Sequence, residues 1–320
     1  MDDQITLDTI RQAAQRIASI AHRTPVFRCR SFNQRAGLEA FFKCENFQVG
    51  GAFKIRGAAN FINSIAKADL PRGVVAYSSG NHAQAVAIAA RSADISATIV
   101  MPLDAPRSKV QATRGYGGNV VTYDRLREDR EEIGRRLAEE SGATLVPPYD
   151  HPWIVAGQGT AALELLEEQP DLDALVVCVG GGGLSSGSSI AAKGLDPAIR
   201  MFGVEPDLAN DTYLSFRTRE RVRIEPPGTI ADGLRAQSPG AITFPIIQRN
   251  MEDVLLVSED DIRQTMAFCL TRMKMLVEPS GAVAAAAVLC RKLPAGIKKA
   301  GIIISGGNVD MDLLCNLPDV

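Results

Sequence analysis

Residues 45–59 read ENFQVGGAFKIRGAA, and in this run Lys54 follows the diglycine Gly50 and Gly51 and precedes Ile55, Arg56 and Gly57. Glycine has no Cβ, so two in succession let the backbone bend sharply or approach a ligand closely. A lysine held behind such a turn is presented to something. An amine kept from water there has a lowered pKa and is both nucleophile and base. The expected occupant is an aldehyde cofactor whose other ends the rest of the chain must hold.

Three further turns have the chemistry to hold it. Gly180, Gly181, Gly182, Gly183 and Leu184 lie between an apolar run and a helical pattern beginning near Ser185. Consecutive backbone N–H groups with a helix N-terminus behind them form a nest for phosphate. A dinucleotide site competes, since Glu205 closes the next strand where an acidic ribose ligand would stand, but GxGxxG fails in every register of this loop. Ser78, Ser79, Gly80, Asn81 and His82 offer hydroxyls, an amide and a helix N-terminus, the donors that a carboxylate or a phenolate needs. Ser305, before Gly306, Gly307 and Asn308, can set a hydroxyl against a ring nitrogen.

These turns need strand ends to carry them, and the spacing supplies strands. An amphipathic helix over 7–21, with Thr6 as its N-cap, opens the chain. Strands are expected at 26–27, 40–43, 73–77, 95–101, 119–122 and 144–146, with helices over 83–93, 106–114 and 127–141 among them. After residue 150 the alternation resumes. Helices follow over 157–168, from about 185, from the Ser258 and Asp261 capping box to 275, and over 284–293, with strands at 174–179, 201–204, 254–257 and 301–304. Residues 220–240 read as an irregular connection. Strands alternating with helices of this length predict an α/β fold, two lobes each with a largely parallel sheet flanked by helices. Ligands in such sheets collect at the carboxyl ends of the strands, where all three turns fall.

The bulk composition narrows the class. The chain has 320 residues, 46 % hydrophobic and 22 % charged, with 35 Lys and Arg against 37 Asp and Glu. Net charge is −2, which favours neither nucleic acid nor an anionic membrane and leaves a small molecule as the partner. Six cysteines without a CxxC pair read as reduced thiols of a cytoplasmic protein, and the acidic N-terminus is unlike a signal peptide. No apolar run approaches the ~20 residues of a membrane span. Three histidines without paired spacing argue against zinc.

Taken together, RTPVF at Arg23, KCENFQ at Lys43, FKIRGA at Phe53, SSGNHAQ at Ser78, AGQGTAALE at Ala156, GGGGL at Gly180, GVEP at Gly203, TIADG at Thr229, VEPSGA at Val277 and SGGN at Ser305 resemble the fold-type II pyridoxal-phosphate enzymes. Within them the likeness is to the group of serine/threonine dehydratases, serine racemase and threo-3-hydroxyaspartate ammonia-lyase, and it covers nearly the whole chain. It implies a fold like that of the tryptophan synthase β chain, with residues 1–49 and 147–320 as a large cofactor-binding domain and 50–146 as a small domain that closes on substrate. A homodimer is expected by the same likeness.

The resemblance also implies roles. Lys54 would bond the cofactor covalently and later take the Cα proton, with Phe53 and Glu278 beside it. Asn81 would meet the ring hydroxyl, Gly180, Gly181, Gly182, Gly183 and Leu184 the phosphate, and Ser305 the ring nitrogen. Ser78, Ser79, Asn81 and His82 would frame the substrate carboxylate, Ser79 also serving as the acid on the opposite face in a racemase. Glu205, Asp211 and the Ala209 carbonyl match the group's divalent-cation site, whose oxygen ligands suit Mg²⁺ or Ca²⁺. Arg127 and Arg130 lie on a charged stretch resembling the hydroxyaspartate-acting members, and Arg130 could reach a β-carboxylate.

Two departures stand out: Ala52 replaces the usual serine two residues before the lysine, and Tyr77 stands where serine racemase has histidine. The implied reaction is loss of water from a β-hydroxy-α-amino acid, 3-hydroxyaspartate or L-serine and L-threonine, giving a keto acid and ammonia. The alternatives are an amino-acid racemase, a nicotinamide-dependent dehydrogenase on the glycine loop and Glu205, and a binding protein that has lost the chemistry. The chain ends soon after SGGN, so feedback control by isoleucine through a C-terminal extension is not expected.

Overall fold

The computed structural model describes every residue except 1–4, 106, 125 and 320. The first four residues of the acidic N-terminus, and Pro106 at the expected start of one helix, thus lie outside the described residues. Among the described residues ten strands fall where the alternation places them: β1 (Val26–Phe27), β2 (Glu39–Cys44), β3 (Val74–Tyr77), β4 (Ala97–Pro102), β5 (Asn119–Tyr123), β6 (Thr144–Leu145), β7 (Ala174–Cys178), β8 (Arg200–Pro206), β9 (Asp253–Val257) and β10 (Lys299–Ile304). They form a six-stranded sheet ordered β1-β2-β10-β7-β8-β9 and a four-stranded sheet ordered β5-β4-β3-β6. Every pairing is parallel except β1 with β2. All five residues of β7, ALVVC, are buried, as a strand covered by helices on both faces requires.

The helices differ from the periodicity mainly at their ends. Asp129 caps the Arg130–Ser141 helix by accepting from the Glu131 and Glu132 amides, so Arg127 stands outside it. Pro152 opens the next helix five residues early, at a first-turn position where its missing N–H costs nothing. The expected capping box holds, with the Asp261 amide donating to Ser258 Oγ at 3.1 Å. Its α-helix stops at Phe268, and Cys269–Met273 continue as a π-turn ending in left-handed Lys274. The short helices Arg30–Ala36, Asp211–Thr218 and Thr243–Asn250 carry too few turns for their periodicity to register.

Two crossings bring the helix that starts at Lys54 against the larger sheet's layer. A Cβ on Gly157 would lie 2.5 Å from the Arg56 carbonyl oxygen, and one on Gly57 would lie 2.3 Å from Gln158 Nε2. Only glycine at both positions lets the Lys54–Ile62 and Pro152–Glu168 helices touch backbone to backbone. The same long helix then crosses Gly183–Leu195 where Gly159 meets Gly187. Ile17 and Ile154 join the core of the smaller sheet, while Ile10 and Val155 join that of the larger, so two helices bind the two cores together.

Because the atoms facing Gly157 are backbone and cannot rotate away, Gly157→Ala is expected to lower folding stability by about 1–3 kcal/mol, read from the midpoint of urea unfolding. An unmoved midpoint would show that the helices separate without cost.

Candidate functional site

Gly50 and Gly51 both take left-handed backbone, with φ of 73° and 72°. That turn swings residues 51–53 alongside the end of β10. Ala52 and Gly306 form an antiparallel bridge, the Phe53 amide donates to the Ser305 carbonyl at 3.0 Å, and the Gly307 amide donates to that of Gly51 at 2.9 Å. Ser305 and Lys54 are thereby held to one another through backbone. Gly306 has no room for a side chain: a Cβ there would lie 2.4 Å from Glu278 Oε1 and 2.9 Å from the Cβ of buried Ala52.

The Lys54 amine donates to the Pro148 carbonyl oxygen at 2.9 Å and stands 5.1 Å from the centre of the Phe53 ring. Burial lowers its pKa to about 8, against the opposing pull of Cys178 and Glu278. At neutral pH a usable fraction is therefore the free base. Cys178, at the end of β7, faces both the Lys54 amine and Ser305, and burial pushes its thiol up to about 11, so it stays neutral.

The Ser78–His82 turn approaches from the other side. Ser78 Oγ accepts from the Gly80 amide at 3.2 Å, and the Asn81–Ser92 helix begins with no side-chain cap, leaving its first N–H groups for a ligand. Asn81 is oriented at both ends of its amide: Nδ2 donates to Glu278 Oε1 at 2.7 Å, and Oδ1 accepts from Asn308 Nδ2 at 2.9 Å. Asn308 Nδ2 also donates to the Gly50 carbonyl at 2.7 Å, so the diglycine turn fixes the asparagine. The His82 side chain turns inward instead. Its Nε2 lies 3.1 Å from the Val146 carbonyl, and burial lowers its pKa to about 3, so the ring is neutral and donates there. What His82 retains for a carboxylate is its backbone N–H.

The glycine loop has the shape that a phosphate needs. Gly182 takes φ 93° and the Gly183–Leu195 helix starts behind it without a side-chain cap. Thr243 Oγ1 and the Gly240 amide both donate to the Gly181 carbonyl, at 2.7 and 3.3 Å, fixing the loop from outside. Added Cβ atoms would strike the Tyr149 ring at Gly181 and Thr243 at Gly182, whose φ of 93° also favours glycine, while at Gly180 and Gly183 they would crowd Leu234 and Tyr149 at 3.2 and 3.1 Å. Glu205, the residue a dinucleotide would use, is not available to a ribose: its two oxygens accept from the Thr212 amide at 3.2 Å and the Tyr213 amide at 2.7 Å.

Glu205 and Asp211 instead face each other in the interior, both fully buried. Burial pushes both carboxyls up, and for Glu205 the Asp211 charge adds to it. Both oxygens of Asp211 are buried without a hydrogen-bond partner. An orphaned carboxylate beside a second one fits a cation with oxygen ligands, the buried Ala209 carbonyl supplying a third. Among the described residues no three His, Cys, Asp or Glu side chains converge, so carbonyl and water oxygens would complete the shell.

The sequence pattern did not disclose the buried charge cluster beneath Lys54. Arg56 donates to Glu45 at 2.7 and 2.8 Å, to Glu164 at 2.7 and 2.9 Å, and to Thr160 Oγ1 at 3.1 Å, while Lys43 reaches Glu164 at 2.6 Å. Burial opposes the charge on Arg56, but the carboxylates hold its pKa above the usual range. The guanidinium in turn outweighs burial and holds Glu45 low. A charge run around residues 43–45 and 56 in KCENFQ and FKIRGA was the available signal.

Arg130 is exposed on the first turn of its helix, its guanidinium carbon 5.8 Å from the Tyr77 ring centre, and Arg127 pairs with Asp124 at 3.7 Å. Arg130 thus lies beside Tyr77, the residue before the Ser78–His82 turn, and Arg127 does not share that contact.

The family model described as pyridoxal-phosphate dependent enzyme matches residues 17–306. The chain is 51 % identical over 306 residues to an L-threo-3-hydroxyaspartate ammonia-lyase of Pseudomonas sp, covering 96 % of each. It is 49 % identical over 307 residues to the serine racemase of Schizosaccharomyces pombe, covering 96 % of this chain and 95 % of the other. The structure of maize serine racemase superposes with a TM-score of 0.94 at 43 % identity, covering 97 % and 95 %.

Glu278 yields a pH test of this geometry. Burial, then the Asp232 charge, pushes its carboxyl from the ordinary 4.5 up to about 8, so the folded chain keeps a proton that the unfolded chain has released. Stability of the cofactor-free protein should therefore fall between about pH 4.5 and 8, a window that follows from those two values. Glu205 and Asp211 contribute a decline of the same sign, so the difference between wild type and Glu278→Gln isolates Glu278. The variant should show the shallower fall in thermal midpoint; parallel curves would contradict the shifted carboxyl.

Proposed function

The chain belongs to the pyridoxal-phosphate dependent enzymes, and from that premise we propose that it is an ammonia-lyase acting on a β-hydroxy-α-amino acid. Its preferred substrate is 3-hydroxyaspartate, with serine and threonine as lesser ones. The observation that carries the reading is the Lys54 amine, its pKa lowered by burial to about 8 and its proton donated to the Pro148 carbonyl, beside a Phe53 amide bonded to the Ser305 carbonyl. When bound, the cofactor supplies a carbonyl for the amino group and an electron-withdrawing ring.

The residues divide the work. The uncapped helix start at Gly183 and the amides of Gly180 to Leu184 hold the phosphate. Asn81, its amide set by Glu278 and Asn308, turns a donor to the ring hydroxyl. Ser305 would offer the ring nitrogen a neutral hydroxyl, which would leave that nitrogen largely unprotonated. Ser78, Ser79 and the backbone N–H groups of Asn81 and His82 take the α-carboxylate. Lys54 as free base would take the Cα proton, and the ammonium so formed would return it to the β-hydroxyl as that group departs as water; the released enamine would tautomerise to an imine, which a water molecule hydrolyses to a keto acid and ammonia.

Racemisation is the second reading. Ser79, half-buried in the turn, would return a proton to the opposite face of Cα. Residues 1–49 and 147–320 would hold the cofactor while 50–146 close over the substrate. Glu205, Asp211 and the Ala209 carbonyl would hold Mg²⁺ or Ca²⁺ behind the glycine loop. The reading is completed by a homodimer in the cytoplasm; its six cysteines, all free in the structure, support a reducing compartment. No helix among the described residues is long and apolar enough to cross a membrane.

Purified protein should show a visible absorption band that Lys54→Ala abolishes, together with ammonia release from 3-hydroxyaspartate, serine or threonine. Rapid exchange of D and L substrate without ammonia would place the enzyme among racemases instead. A divalent cation at about a hundred times its Kd should raise wild-type stability by about 3 kcal/mol, and Asp211→Asn should lose most of that increment. If chelator leaves the thermal midpoint unchanged, the carboxylate pair holds no cation.

A further inference from the structure

Four consecutive glycines give a phosphate room, but they leave open which way each peptide points. A peptide between two residues without Cβ can turn over at little steric cost. The two orientations have opposite meanings for an anion. In a trans peptide the C=O and N–H point in opposite directions, so the Gly182 N–H faces away from wherever the Gly181 carbonyl is held. A group outside the loop has to make that choice, and the one bonded to the Gly181 carbonyl at the shorter distance is the Thr243 hydroxyl.

Thr243 is fully buried, and its hydroxyl, amide and carbonyl are all engaged. Oγ1 donates to the Gly181 carbonyl at 2.7 Å, the amide donates to Asp150 Oδ1 at 3.2 Å, and the carbonyl accepts from Ser186 Oγ at 3.0 Å. Asp150 also accepts from the Ala241 and Ile242 amides at 2.8 and 2.9 Å, so one carboxylate fixes three successive amides at the start of the Thr243–Asn250 helix. The packing leaves the threonine no slack. A Cβ on Gly240 would lie 2.1 Å from Asp150 Oδ1 and 2.7 Å from Thr243 Oγ1, and one on Gly182 would lie 2.6 Å from that same hydroxyl.

The loop is committed on its own side as well. The Gly182 carbonyl accepts from the Ser186 amide at 2.8 Å and from Ser185 Oγ at 3.1 Å, so it belongs to the helix that follows. With the Gly181 carbonyl turned to Thr243 and that of Gly182 turned along the helix, the loop presents the Gly182 N–H and the uncapped amides of the first helical turn. Were the peptide between Gly181 and Gly182 to turn over, a carbonyl oxygen would face the phosphate where a donor should, and the two would repel.

We propose that Thr243 is a positioning residue for the cofactor's phosphate: it holds the Gly181 carbonyl outward and so keeps the Gly182 N–H directed into the cradle. Asp150 supports it one bond further out. The inference rests on the reading that the glycine loop takes the phosphate, and it extends that reading from the loop to the side chains that orient it.

Pyridoxal phosphate and pyridoxal differ only in the phosphate, and each can be titrated into cofactor-free protein and followed by the visible band. Thr243→Val keeps the shape of the side chain and removes the donor. It should weaken pyridoxal phosphate roughly ten- to a hundred-fold relative to pyridoxal, the worth of one hydrogen bond to a charged group. Thr243→Ser keeps the hydroxyl and should stay close to wild type. Inorganic phosphate gives a reading free of aldehyde chemistry: it should raise the thermal midpoint of the cofactor-free wild type, and that of Thr243→Val less. Asp150→Asn should shift the ratio of the two aldehydes in the same direction by a smaller factor; should Thr243→Val not fold, an unchanged ratio in Asp150→Asn overturns the proposal. Equal weakening of both aldehydes in Thr243→Val, or a Thr243→Ser as impaired as Thr243→Val, also overturns it, since the threonine would then serve the fold alone. If wild type itself binds pyridoxal as tightly as pyridoxal phosphate, the loop does not take the phosphate, and that reading falls together with the proposal; a wild-type preference that survives whole in Thr243→Val sinks the proposal and leaves the reading standing.

Discussion

One lysine amine must be kept from water, and most of the surrounding architecture follows from doing so. An exposed lysine carries its proton far above neutral pH and cannot act as a base. Lys54 gives up that stability because its amine is enclosed, with a single backbone carbonyl, that of Pro148, accepting from it. Neutral groups complete the lining. The Cys178 thiol is held protonated and the His82 ring uncharged, both by burial. A charge of either sign placed there would reset the amine.

Enclosure requires that segments far apart in the chain come closer than side chains permit. The site therefore rests on backbone-to-backbone contacts: the diglycine turn against the end of β10, and Gly57 against Gly157 beneath it. Each contact transmits position directly, since no rotamer lies between. The buried cluster of Arg56, Glu45, Glu164 and Lys43 serves the same end by a different force. Removing charges from water is costly, and such a cluster persists only when every partner is present. It holds the first turn of the Lys54 helix to β2 and to the long helix at once, so it fixes a position more than it adds stability.

The glycine loop and the carboxylate pair share one wall. Glu205 anchors the Asp211–Thr218 helix by accepting two of its amides, while Asp211 keeps both oxygens bare in the interior. Fully satisfied polar groups would have fixed the fold more cheaply. The bare carboxylate is thus a feature that folding alone does not explain.

The sequence by itself determined where the strands fall and that their sheets are largely parallel, because hydrophobic alternation and glycine-rich turns are local signals; their order in the two sheets came from the tertiary structure. The residue types of the candidate site were legible in the same local way: Lys54 behind its diglycine, the Ser78–His82 donors, the four glycines and Ser305. The tertiary structure decided what each can do. That His82 turns inward to Val146, that Asn81 is held by Glu278 and Asn308, and that Arg130 rather than Arg127 faces Tyr77 depend on contacts between residues up to 227 positions apart. The hold of Thr243 on the Gly181 carbonyl was invisible for the same reason. Burial, the force that sets the Lys54 amine, belongs to the assembled chain alone, since no stretch of sequence encloses itself.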